Sequence, residues 1–218
     1  VEKNAAMKAY GAELIVHGSD FDEAREEAMR VAEGGDYFAV PPFHRELVRG
    51  VATYGYELLS AHPDLHTLYV PIGAGSGICG TIAARDALGL STRIVGVVSE
   101  NAAAAKLSVD AGGLVETPSA RTFADGMAVR VPVAEAYDIY ASGAERIVTV
   151  SDAQIAEAIR TYFETIHTLA EGAGAAPLAA LMAERDAMAG RKVGLVLSGG
   201  NIDTGWFAKV LEGGVPTV

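Results

Sequence analysis

Short apolar runs alternate with longer stretches of helical period along almost the whole chain, the pattern of strands and helices taking turns. Glu13 to His17 reads as a strand, after a short helix around Asn4 to Tyr10 that stops at Gly11. Ser19 or Asp20 caps an amphipathic helix from Phe21 to Glu33, ended by Gly34 and Gly35. Arg45 to Ser60 forms another helix and stops before His62-Pro63. Strands follow at about Leu68 to Ile72, Arg93 to Val98, Leu114 to Thr117, Arg146 to Val150 and Lys192 to Leu197. Between them lie helices near Ile78 to Leu88, Ala102 to Ala111, Ala153 to Leu169 and Pro177 to Met188, the third capped by Ser151-Asp152.

Runs such as Val193-Gly-Leu-Val-Leu197 are apolar on both faces, as strands of a parallel sheet covered by helices must be. The expected fold is α/β: an open, mostly parallel sheet flanked by helices, with a partial smaller α/β lobe at the N-terminal end. Residues 1–50 are assigned to that small lobe and 51–218 to the large one. The first strand signal, at Glu13, has no earlier partner, so the small lobe reads as the second half of a longer unit.

With 218 residues and 50% hydrophobic content, the chain can bury a substantial core. Its formal net charge of −11 argues against nucleic acid and anionic membranes as partners, because both reward positive charge. No apolar run approaches the roughly 20 residues of a membrane span. The opening Val-Glu-Lys-Asn lacks the basic flank and apolar stretch of a secretory leader. Cys79 is the only cysteine, so no intrachain disulfide or zinc cluster is expected, and it reads as a small core residue. His17, His44, His62, His66 and His167 show no metal-ligand spacing, and no Ser-His-Asp set is evident. A cytoplasmic location is the expectation.

The candidate chemistry lies in Leu68-Tyr-Val-Pro-Ile-Gly73-Ala-Gly75-Ser-Gly77-Ile-Cys-Gly80. Here an apolar strand ends in a run of small residues and a helix begins. Such a turn points several backbone N–H groups at one spot, where the helix N-terminus adds partial positive charge, and so suits a phosphate. Taken alone, Gly75-Ser-Gly77-Ile-Cys-Gly80 also satisfies the dinucleotide pattern G-x-G-x-x-G, with Glu100 at the end of the next strand where a ribose-binding acid would stand. An NAD-type oxidoreductase is therefore one alternative, and a non-catalytic ligand-binding remnant is another.

Four ordered motifs narrow the reading: Pro71-Ile-Gly-Ala-Gly-Ser-Gly77, Thr122-Phe-Ala-Asp-Gly126, Ala170-Glu-Gly-Ala-Gly-Ala175 and Leu197-Ser-Gly-Gly-Asn201. Together with Met7-Lys-Ala-Tyr-Gly-Ala-Glu-Leu14 and Arg49-Gly-Val-Ala-Thr53, they resemble the serine/threonine dehydratase branch of the pyridoxal-phosphate enzymes of the tryptophan synthase β-subunit type. The likeness runs over essentially the whole chain. It implies ammonia elimination from a small β-hydroxy amino acid, giving a 2-oxo acid, by an enzyme of a branch that is commonly oligomeric.

Carried over residue by residue, the resemblance implies that Gly73, Ala74, Gly75, Ser76 and Gly77 hold the cofactor phosphate. Ala74 and Ser76 replace two of the family's usual glycines. Ser198 matches the serine that hydrogen-bonds the pyridine nitrogen, and Glu171 an acid near the cofactor. Asp125 is in the loop beneath the cofactor, with a structural role. The acids with which some members bind a divalent metal correspond to Val98 and Ala104, so no metal is expected. The lysine that forms the Schiff base lies in a Lys-x-Arg-Gly-Ala-like motif, upstream of anything present here. Lys3, Lys8, Lys106, Lys192 and Lys209 stand at none of the family's cofactor positions, Lys3 and Lys8 being expected on a solvated helix face. The expectation is a chain lacking roughly the first third of such an enzyme, with no catalytic residue of its own.

Overall fold

The computed structural model describes residues 2–35 and 37–218. Val1 and Asp36, both within the expected 1–50 lobe, lie outside the described residues. Four strands form one sheet: β1 (Thr67–Pro71), β2 (Arg93–Ser99), β3 (Arg146–Val150) and β4 (Val193–Leu195). Their order is β3-β2-β1-β4 and every pair is parallel, Leu68 standing opposite both Ile94 and Gly194. Among the described residues the helices are α1 (Glu2–Ala9), α2 (Phe21–Glu33), α3 (Arg45–Ala61), α4 (Ser76–Ala87), α5 (Ala104–Ala111), α6 (Ala134–Gly143), α7 (Asp152–Ile166), α8 (Gly172–Ala183) and α9 (Thr204–Leu211).

The doubly apolar strands divide their side chains between two cores, because successive residues of a strand face opposite ways. Leu68, Val70, Ile94 and Val98 pack with Leu59 of α3, Ile78 and Ile82 of α4 and Tyr140 of α6. Tyr69, Val95 and Val97 pack on the other face with Ile155 and Ile159 of α7, Ala176 and Ala180 of α8 and Val210 of α9. Burying side chains of this size is worth about 1.5–3 kcal/mol each, which is why the sheet's centre is also its most apolar part. Ser151 forms a full capping box with Gln154 at the start of α7, and Asp20 caps α2.

Two expected strands are absent. At Leu114 to Thr117 the Val115 N–H donates to Ser108 Oγ at 2.9 Å and the Thr117 N–H to the Arg130 carbonyl at 3.1 Å. The segment therefore spends its backbone donors on its own helix and a neighbouring loop, outside the sheet, and Leu114 is exposed. Glu13 to His17 also forms no strand. A strand needs a neighbour to take its N–H and C=O groups, and Ile15 and Val16 remain exposed.

Helix α8 begins five residues before Pro177, the expected start. Gly174 makes this possible: a Cβ there would lie 2.5 Å from the Gly199 oxygen, so the first turn lies directly against backbone. Helices α6 and α9 have no counterpart among the elements expected from the sequence. The expected strand at Lys192 to Leu197 shortens to β4, an edge strand paired only with β1. The N-terminal part joins the remainder through α1, whose Glu2 accepts the Thr204 N–H at 3.1 Å, and through α2. Asp22, fully buried, accepts the Arg130 N–H at 3.0 Å and the Val131 N–H at 3.3 Å, while Asp20 pairs with the Arg130 guanidinium at 3.0 Å.

Candidate functional site

The glycine turn joins the carboxyl end of β1 to the amino end of α4. Its geometry follows from residue size. Gly75 has φ +103°, a conformation disfavoured for any residue with a Cβ, and a Cβ there would lie 2.7 Å from that of Ala136. The first intrahelical bond of α4 is the Cys79 N–H to the Gly75 oxygen at 3.1 Å. The N–H groups of Ser76, Gly77 and Ile78 therefore precede the ladder, no side chain caps them, and no acid stands in the first turn. Amides left in this way at a helix start can hold an anion, with the helix dipole in support. Tyr54, on α3, steadies the turn: its hydroxyl donates to the Gly77 oxygen at 3.1 Å and lies 3.1 Å from Thr81 Oγ1. No motif marks Tyr54 in the sequence.

The other three motifs meet the turn through backbone contact. A Cβ on Gly73 would lie 2.3 Å from the Gly126 oxygen, and one on Gly126 would lie 2.9 Å from Ala173 Cβ and 3.6 Å from Glu171 Oε1. Glu171 in turn reaches the fourth motif. Its N–H donates to the Gly199 oxygen at 3.0 Å, and its Oε2 accepts the Asn201 N–H at 3.1 Å. Ser198, next to Gly199, is exposed. Gly73, Ala74, Gly75, Ser76 and Gly77 are thus linked by Gly126 to Glu171, and by Glu171 to the Ser198–Asn201 segment. The loop itself is pinned from beneath, where Thr122 Oγ1 donates to Asp152 Oδ1 at 2.6 Å and the Ala124 N–H to Thr122 Oγ1 at 3.1 Å.

Beside Glu171 opens a cavity of about 360 Å³ lined by Lys3, Phe123, Asp125, Asn201 and Trp206 among others. Lys3 is here a correction to the expected solvated face: its Nζ lies 2.6 Å from Asp125 Oδ2 with the side chain only a third exposed. Half-burial pushes the Glu171 carboxyl above the usual carboxylate range; Lys3 opposes the rise and Asp125 adds to it. The other lysines are remote in role. Lys106 pairs with Asp110 and Lys192 with Asp64, while Lys8 on α1 and Lys209 on α9 are exposed. Cys79 is fully buried and its thiol is pushed up to about 12 by burial, so it carries no nucleophilic role.

A parallel sheet whose glycine turn and helix start converge with three further glycine-rich loops defines a class that comparison identifies directly. The chain belongs to the pyridoxal-phosphate-dependent enzymes: the family described as "Pyridoxal-phosphate dependent enzyme" matches residues 1–199. Among characterised relatives it is similar to the L-threonine ammonia-lyase of Geobacter sulfurreducens, 38% identical over 98% of this chain and 54% of the relative. It is also similar to the L-threonine ammonia-lyase of Thermotoga maritima, 33% identical over 99% of this chain and 54% of the relative. Among solved structures, the T.th. threonine deaminase superposes with a TM-score of 0.84 at 32% identity, over 93% of this chain and 68% of the other. The processed threonine deaminase isoform 2 of Solanum lycopersicum gives a TM-score of 0.89 at 28% identity, covering 97% and 63%. The chain spans about half the length of the two ammonia-lyases it matches.

The dinucleotide pattern is explained otherwise. Its third glycine, Gly80, does not bring helix onto strand as that fingerprint requires. A Cβ there would lie 2.9 Å from the Ala52 nitrogen, so Gly80 serves the close crossing of α4 on α3. Val98 and Ala104, expected from the resemblance at the places where some members carry metal-binding acids, line a small apolar cavity behind the turn.

Proposed function

We propose that this chain forms the phosphate-binding and ring-facing part of a pyridoxal-phosphate-dependent ammonia-lyase that converts a small β-hydroxy amino acid, threonine or serine, to a 2-oxo acid and ammonia. The observation that carries the reading is the uncapped, acid-free start of α4 behind a left-handed Gly75, in a turn packed so closely that a Cβ at Gly73 or Gly75 would run into Gly126 or Ala136. The residues present fit the cofactor's phosphate. When bound, pyridoxal phosphate supplies the electron sink that lets the substrate Cα lose its proton.

In this reading the chain's own residues bind and orient. The N–H groups from Gly73 to Gly77 hold the phosphate dianion, with Ser76 Oγ as a further donor. Ser198 serves the pyridine nitrogen as a neutral hydroxyl, which does not force that nitrogen to be protonated and so keeps the cofactor a mild sink. Glu171, with its raised pKa, tunes the field at the inner wall without acting as base. Residues 1–50 belong to a smaller lobe, supported by the lack of buried residues in α1 and by Asp22 being the only one in α2. A homo-oligomer in the cytoplasm is the assembly we favour; the exposed Tyr37, Phe38 and Val40 are apolar surface that association would cover.

Ser76→Asp tests the cradle. A carboxylate in the first turn favours the helix but repels phosphate. The variant should melt no lower than the parent yet lose pyridoxal phosphate binding in a spectroscopic titration. Unchanged affinity would remove the turn from the site.

A further inference from the structure

Behind the glycine turn lies a second, much smaller cavity of about 10 Å³, lined by Gly73, Ala74, Val98, Ala104, Met127 and Tyr140 among others. Tyr140 supplies the only polar side chain of its lining. The residue is 2% exposed, and its hydroxyl has no hydrogen-bond partner among the described protein groups. A buried hydroxyl with no partner is costly and rare in a packed core. The tyrosine is also held firmly. Its ring meets that of Tyr137 edge-on at 5.8 Å, and ring carbons lie 3.7 and 3.8 Å from where a Cβ on Gly75 would be. Ala136, one helical turn earlier on α6, is the residue that excludes a Cβ at Gly75. This face of α6 is therefore the back wall of the turn.

We propose that the Tyr140 hydroxyl and the backbone of the Gly73–Ala74 turn share one buried water, and that through it Tyr140 positions the turn for phosphate. This rests on the reading of the turn as a phosphate cradle. Volume decides the ligand. A cavity of about 10 Å³ matches the roughly 10–15 Å³ that a single water needs and excludes phosphate or any organic group. The remaining side chains of the lining are apolar, so the water's other partners are main-chain groups, and Gly73 and Ala74 belong to the turn itself. Burial pushes the phenol up to about 12, so it remains a donor at every working pH. Tyr140 is thus a positioning residue and touches no reacting atom.

The test is Tyr140→Phe, which removes the oxygen and keeps the ring, in the otherwise intact chain. Binding of inorganic phosphate is measured by calorimetry, beside a thermal melt and a high-resolution crystal structure of the parent. The expected result is a lower melting temperature, phosphate affinity weakened about five- to tenfold, the effect of losing one net hydrogen bond, and a water within hydrogen-bond distance of Tyr140 Oη. A melting temperature that stays or rises would overturn the water, because deleting an unbridged buried hydroxyl relieves a penalty. A lower melting temperature with unchanged phosphate affinity would overturn the positioning role. Ser76→Asp separates this proposal from the one beneath it. If that variant leaves phosphate binding intact, the cradle reading fails and the positioning role with it, while the sign of the Tyr140→Phe melt still decides the water.

Discussion

Gly75→Ala should be among the most damaging single-methyl additions this chain can receive. Two costs add. The backbone at φ +103° charges a residue with a Cβ about 1–2 kcal/mol. The new methyl would also lie 2.7 Å from Ala136 Cβ, and overpacking of this kind costs about 1–3 kcal/mol. A total near 3 kcal/mol corresponds to a drop of roughly 6–12 °C in Tm for a domain of this size. Gly89→Ala is the matched control. Gly89 also has a positive φ, +64°, but nothing lies within 4 Å of its missing Cβ, so only the backbone cost of about 1 kcal/mol remains. Thermal melts of the two variants, followed by circular dichroism, isolate the contact with α6. Because the same methyl deforms the start of α4, Gly75→Ala should also weaken pyridoxal phosphate binding and Gly89→Ala should not. Equal melting temperatures for the two variants would refute the reasoning, since the close approach of α6 would then carry no energy.

Asp22→Ala should cost about 2–4 kcal/mol, because it leaves the Arg130 and Val131 N–H groups without their buried acceptor; urea denaturation reads the loss, and a change under about 1 kcal/mol would contradict it. Ser151→Ala should cost about 1 kcal/mol by opening the capping box with Gln154, visible as a small shift of the urea midpoint. Glu171 has a folded pKa raised above its ordinary 4.5, so the stability tied to its protonation is fully present below that value and is lost as pH rises through the folded pKa. Glu171→Gln should therefore gain stability relative to the parent as pH goes from about 4 to 7, and a difference that stays flat would show that burial does not penalise the carboxylate. Mixed with pyridoxal phosphate and threonine, the chain alone should give no 2-oxobutyrate above the free-cofactor background; steady turnover would show that one of its five lysines serves the cofactor after all.

Strands are legible in the sequence where burial is two-sided. β1, β2 and β3 lie within a residue of their expected places because helices cover both faces of the sheet and their runs are mostly apolar, almost wholly buried in β1 and β2 and anchored by Ile147 and Val150 in the edge strand β3. Leu114 to Thr117 carries a similar composition, but its donors go to Ser108 and Arg130, a choice made by tertiary neighbours that no local pattern encodes. Helix α6 is hard to read because Ala134 to Gly143 mixes two tyrosines with small and polar residues and has no side-chain cap. The start of α8 is misread for an instructive reason. Pro177 is a favoured first residue, and the glycines before it look like loop, yet they are small because α8 opens against the backbone of Gly199.

The site shows the same division. Its glycine motifs can be found by order and composition because close contact leaves no room even for a methyl at Gly73, Gly75, Gly126 and Gly174, and that constraint is written in residue identity. The residues that hold those glycines in place leave no such trace. Tyr54 sits in the middle of α3, Tyr140 in a helix the sequence pattern hides, and Lys3 on a helix whose other residues are mostly exposed. Each acts across a long stretch of chain through one hydroxyl or one ammonium, so its meaning depends on where the fold brings it. Tyr54 and Tyr140 approach the turn from α3 and α6, on the side of the sheet where α4 packs. The motif loops close it from the opposite side, with Gly126 against Gly73 and Glu171 against Gly199. An anion held chiefly by amides needs those amides to be stationary, since each makes only a modest bond. The rigidity has to come from α3 and α6, and a turn of small residues cannot supply it by itself.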